Sequence, residues 1–139
     1  MGDDMKTRLI LSLLICMSGA ALADWTHLGA ANHRNTDYFV DLSTAQKASD
    51  GKVTIAYLYD MKQPRECAAT AKPYLSSKGE AEFDCNEKLY RVVSCTRYAG
   101  QHAVGEVVSV DGAPGEWSQI PPRSKVANMY KAACGRALR

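Results

Sequence analysis

The chain has 139 residues, 23% of them charged, and a formal net charge of +2. That slight excess argues against a nucleic-acid partner, which a strongly basic face would announce, and the length suits one folded domain. Past the amino-terminal apolar run, no segment approaches the roughly 20 apolar residues of a membrane-spanning helix, so no transmembrane segment is expected.

The amino terminus reads as a secretory signal. Lys6 and Arg8 supply a basic start, Leu9 to Cys16 an apolar stretch, and Ala21-Leu22-Ala23 a small-x-small processing site. Residues 1–23 are therefore expected to be removed, leaving residues 24–139 as a single domain. A lipid-attachment cysteine follows a small residue. Cys16 follows Ile15, so lipidation there is not expected. The reading is an exported protein of the periplasm or cell surface.

The first part of the mature chain favours strands. Asp24 to Leu28 is short and aromatic, Gly29 to Asn35 is loop-like, and Tyr38-Phe-Val-Asp41 follows as a second strand. Ser43 to Ala48 is expected as a helical turn with Ser43 as its N-cap. After the Ser49-Asp50-Gly51 turn, Val53, Ile55, Tyr57 and Tyr59 alternate along the clearest strand, which is apolar on both faces. Met61 to Ala71 is polar and reads as the longest loop. Tyr74 to Cys85 and Lys88 to Tyr98 form a hairpin about Asn86-Glu87. Strict alternation puts Tyr90, Val92, Ser94, Thr96 and Tyr98 on one face of the second strand. Leu89, Arg91, Val93, Cys95 and Arg97 then take the other face.

Val104 to Val110 is a further β-branched run. The tail changes period: Ser124 is a candidate N-cap, Val126, Met129, Tyr130 and Ala133 recur at helical spacing, and Gly135 is a natural stop. The expected fold class is α+β: a small antiparallel β-sheet of five or six strands with a C-terminal α-helix packed on it.

Four cysteines follow the processing site: Cys67, Cys85, Cys95 and Cys134. In an exported chain an even count reads as two disulfides, and three connectivities are open. Their spacing matches no zinc pattern and includes no C-x-x-C motif. No cofactor fingerprint, nucleophile elbow or metal-binding histidine pair occurs, so neither cofactor nor metal nor catalysis is expected. His27, His33 and His102 read as loop or surface residues. Glu80, Glu82 and Asp84 read as the solvated face of a strand. The more suggestive feature is basic and aromatic. Lys62, Arg65, Lys72, Tyr74 and Lys78 lie in or near the long loop and form the candidate partner-binding set, suited to an acidic protein surface or a glycosaminoglycan.

Taken in order, Tyr74-Leu-Ser-Ser-Lys78, Phe83-Asp-Cys85, Tyr90-Arg91, Trp117-Ser-Gln-Ile-Pro-Pro-Arg-Ser124 and the closing Cys134 resemble the surface-adhesin protein E family of gram-negative bacteria. Trp25, the Tyr38-to-Asp41 strand and the turn into Val53 to Asp60 agree more loosely. The resemblance implies a small antiparallel sheet with a C-terminal helix and an envelope protein that binds extracellular-matrix or serum proteins. It implies the bridge Cys85–Cys134, and with it Cys67–Cys95 as the second. The resulting expectation is a non-catalytic module for protein partners. The rival reading is a periplasmic structural or inhibitor-like protein with no host contact.

Overall fold

The computed structural model describes residues 23–138; the expected signal segment lies outside them, apart from Ala23. Six strands follow one another in sheet order: β1 (Trp25–Ala31), β2 (Thr36–Lys47), β3 (Lys52–Glu66), β4 (Pro73–Asp84), β5 (Leu89–Tyr98) and β6 (Val107–Asp111). All neighbours are antiparallel. A two-residue β7 (Ser118–Gln119) pairs with the start of β5, and one helix, α1 (Lys125–Cys134), closes the fold.

The helix ends follow directly from the sequence. Ser124 is extended and its hydroxyl accepts the Ala127 N–H at 3.1 Å, satisfying one of the helix's orphan donors. At the other end Gly135 adopts φ 71°, a left-handed stop, and donates to the Lys131 carbonyl. The buried helix residues are Val126, Met129, Tyr130 and Ala133, the face that the 3.6-residue period marks. They meet Tyr38 and Val40 of β2, Val53, Ile55 and Tyr57 of β3, and Ala81 and Phe83 of β4 in one core. Cys85–Cys134 is bridged, tying the end of β4 to the last residue of the helix. The Cys85 carbonyl also accepts from the Tyr130 hydroxyl at 2.9 Å and from Arg136 at 2.6 Å.

Three expectations give way. The helical turn at Ser43 is absent, because β2 runs on to Lys47 with a register shift between Asp41 and Gln46. The Asp41 carboxylate accepts both the N–H and the hydroxyl of Ser43, and the Thr44 hydroxyl accepts the Ala56 N–H at 2.9 Å. Short polar side chains thereby hold a bulge where they had suggested a cap. The Ser43 bonds, its side chain's foremost, also hold the Asp41 carboxyl below its ordinary range.

The long polar loop is also shorter than its composition suggests. Residues 61–66 continue β3, because strand pairing uses backbone groups and tolerates exposed polar side chains. Arg65 and Glu66 pair with Tyr74 and Pro73, and a tight turn at Cys67–Lys72 closes the hairpin.

The third correction concerns Cys67 and Cys95, which are free thiols. Val93 is an extra residue in β5: Val92 opposes Ala81, whereas Ser94 opposes Glu80. The bulge reverses the alternation, so Tyr90 and Val92 share the helix-side face with Cys95 and Arg97 rather than with Ser94 and Thr96. Gly79, opposite Cys95, has no room for a Cβ against the Ser94 carbonyl. Cys95 lies beside the Tyr57 hydroxyl. Cys67 is buried, its thiol bonded first to the Thr70 and then to the Ser109 hydroxyl, which bring it down to about 7. Ser109 opposes Arg97, while Cys95 opposes Asp111. The Cys67 thiol thus lies beside Ser109, the residue opposite Arg97. Each thiol instead has a partner of its own, Cys67 in the Thr70 and Ser109 hydroxyls and Cys95 in the Tyr57 hydroxyl.

Candidate partner-binding surface

At the end of the sheet where β1 turns into β2, the turn and the outer arm of β3 enclose an open depression of about 650 Å³. Asn32, His33, Arg34 and Asn35 line it from the turn; Lys62, Gln63 and Arg65 line it from the arm. The turn is tight for a simple reason: Asn32, His33 and Arg34 all take left-handed conformations, with φ of 53°, 57° and 64°. Residues other than glycine rarely do so singly. The Asn35 N–H closes the turn on the Asn32 carbonyl at 3.1 Å, and the Asn32 amide donates to Thr36 at 3.4 Å.

Asn35 joins the two walls. Its carbonyl accepts the Lys62 N–H at 2.9 Å, and its side-chain oxygen accepts the Gln63 N–H at 3.0 Å. The polar arm of β3 is held to the turn through these two bonds. Arg34 and Lys62 are therefore mounted on one frame although 28 residues of sequence separate Asn35 from Gln63.

The depression is positive. Arg34, Lys62 and Arg65 are exposed, and none forms an ion pair among the described residues. Two further cations flank it against aromatic rings. The Lys125 ammonium stands 4.3 Å from the Tyr59 ring centroid, and the Arg97 guanidinium 5.5 Å from that of Tyr74. Burial, and then the positive charge of Arg65, lower the Lys125 pKa.

Of the residues that the sequence singles out, Lys62 and Arg65 line the depression and Tyr74 pairs with Arg65 across the β3–β4 ladder. Lys72 lies apart, 3.5 Å from the Glu106 carboxylate. Lys78 is opposite Leu58 and Thr96, on the face away from the helix. The sequence does not single out His33, Arg34 or Asn35 as site residues. The Asn-His-Arg-Asn cluster between two strands was a turn signal, but nothing local showed that the turn would meet the β3 arm.

Other candidate chemistry has structural partners. His27 lies 3.1 Å from Asp37, and His102 lies 3.1 Å from the buried Asp60. His102 and its neighbours fix the loop between β5 and β6: its N–H also bonds Asp60, Gln101 bonds the Met61 carbonyl, and Ser76 bonds Gly100 and Ala103. Glu82 pairs with Arg91 at 2.8 Å, and Asp84 accepts the N–H groups of Asn86 and Glu87 in the hairpin turn. Among the described residues no cluster of metal-ligating side chains occurs, and no helix is long and apolar enough to cross a membrane.

Comparison with known proteins places these features. The fold is similar to that of protein E of Haemophilus influenzae in its selenomethionine form, at 12% identity and a TM-score of 0.58 over 80% of this chain and 87% of that one. Crystal form II of the same protein aligns with a TM-score of 0.59 at 12% identity, over 78% and 87% of the two chains. Protein E from non-typeable H. influenzae gives 0.55 at 12% identity, over 78% and 75%. No curated protein sequence matches. The profile of one family, described as Surface-adhesin protein E, matches residues 25–135, nearly all of the folded domain. The chain belongs to the surface-adhesin protein E family.

Proposed function

We propose that this protein is exported by its amino-terminal signal and acts as a non-catalytic binding module, capturing matrix or serum proteins through the basic corner. The observation that carries this reading is the group formed by Arg34, Lys62 and Arg65: three exposed cations on the rim of one depression, none with an ion-pair partner among the described residues. Cations paired within their own protein have little to offer a partner; unpaired ones attract acidic surfaces over a distance of about a Debye length. Family membership supplies the adhesive character, and the site supplies the charge preference.

Immobilised matrix and serum proteins should capture the mature protein, more weakly as salt is raised. Lys62→Ser with Arg65→Ser should reduce capture and flatten its salt dependence. Equal capture by the double variant and its parent would move the contact surface elsewhere. Protease treatment of intact cells should release the domain; full protection would favour the periplasmic reading without host contact.

A further inference from the structure

The basic corner accommodates one kind of ligand better than others, and the reason lies in where positive charge is not. An extended polyanion such as a sulfated glycan gains affinity from every cation along its length. Here the track is broken. Lys72 is opposite Glu106, Lys78 lies on the far face, and Lys125 and Arg97 are half-buried against Tyr59 and Tyr74. What is left is short: Arg34, Lys62 and Arg65 about a single depression. Two of the three are guanidiniums, whose planar forks match carboxylates bidentately.

The frame is also more ordered than a surface of mobile lysines. Three successive left-handed residues are costly, and such backbone persists where the surroundings enforce it. The Asn35 clamp supplies that enforcement by bonding both Lys62 and Gln63. Pre-ordered walls reduce the entropy lost on binding.

We infer that the depression between the Asn32–Asn35 turn and the Lys62–Arg65 arm is a receptor site for a short acidic peptide segment, with Arg34 as a carboxylate fork and Asn35 as its positioning residue. This inference rests on the reading of the corner as the contact surface. It adds the ligand's chemistry and assigns the turn a role in recognition.

The test is a binding titration with a labelled peptide carrying several Asp residues, its Asn counterpart, and a heparin-derived oligosaccharide of equal charge. The acidic peptide should saturate one site and the Asn peptide should not bind. The oligosaccharide should bind more weakly than the acidic peptide. Arg34→Ser should weaken peptide binding about tenfold, the scale of one charge-assisted contact, with an unchanged melting temperature. Asn35→Ala keeps every charge, so a comparable loss in that variant identifies positioning rather than net charge. An affinity untouched by Arg34→Ser, or tighter binding of the oligosaccharide, would overturn the inference. Capture of a matrix protein that survives both Arg34→Ser and Asn35→Ala would overturn it too, leaving the proposed function in place. Peptide binding as expected, with no matrix or serum protein captured, would support the inference and count against those host partners.

Discussion

The two ends of this small domain are held together by different forces. At the helix end, Phe83, Ile55, Tyr130 and Val40 have no exposed surface, and Phe83 meets Tyr130 edge-on with ring centroids 6.2 Å apart. A disulfide and two hydrogen bonds to Cys85 lock the same region. At the basic corner almost every lining side chain is exposed, and order comes from a turn and the two bonds of one asparagine. Stability is therefore concentrated in the core beneath the helix, and the three-cation group stands outside it at the corner. The comparison teaches that side chains at the corner can be changed at little cost to the fold, since they are absent from the core that maintains it.

The strongest challenge to this division is Met129→Asp. Met129 is 1% exposed, and an unpaired carboxylate there should cost more than about 4 kcal/mol. A thermal melt should show loss of the cooperative transition; an unchanged midpoint would place the helix face in solvent. Next comes the disulfide. Cys85→Ala with Cys134→Ala opens a loop of 49 residues, and the chain-entropy relation gives a loss of about 4 kcal/mol. Denaturant melts of parent and variant read this value, and a difference near zero would credit the packing alone.

A smaller effect should depend on pH. The Cys67 thiol is lowered to about 7 by the Thr70 and Ser109 hydroxyls, against about 8.5 in an unfolded chain. A depressed acid favours the folded state in its ionised form. Its contribution is complete above the unfolded value and disappears as the pH falls through 7. The melting-temperature gap between the parent and Cys67→Ser should accordingly widen from pH 6 to pH 9. A constant gap would show that the thiol does not titrate in that interval.

The least effect on stability is expected at the corner. Lys62→Ser with Arg65→Ser should shift stability by no more than about 0.5 kcal/mol per site, as exposed substitutions usually do. Protein capture should nevertheless fall. A large loss of stability would mean that the two ends are coupled after all.

The helix was legible in the sequence to the residue because its information is local: a cap hydroxyl, four apolar positions at 3.6-residue spacing and a stop glycine. The β4–β5 hairpin was legible for a similar reason, with turn residues between two strand-forming runs. Alternation in β5 was misread beyond Val92, since one bulged residue reverses every side chain after it and carries no sequence mark. The Cys67–Cys95 pairing, which only the resemblance implied, does not form either, and both stay free thiols. Parity set Cys95 beside Arg97 and left open which face they share; the register places both on the helix side.

The site divides along the same line. Lys62, Arg65 and Tyr74 could be named from composition, because charge and aromatic character belong to the residue itself. Their assembly with Arg34, and the separation of Lys72 and Lys78 from them, could not. Those relations arise where the β1–β2 turn meets the β3 arm, and where Glu106 of a distant loop meets Lys72. Sequence by itself determined the residue types, the capped helix and the apolar parts of the strands, which follow from local propensity and periodicity. Only the tertiary structure decided which cations share a depression, because that depends on backbone bonds between segments far apart in the chain.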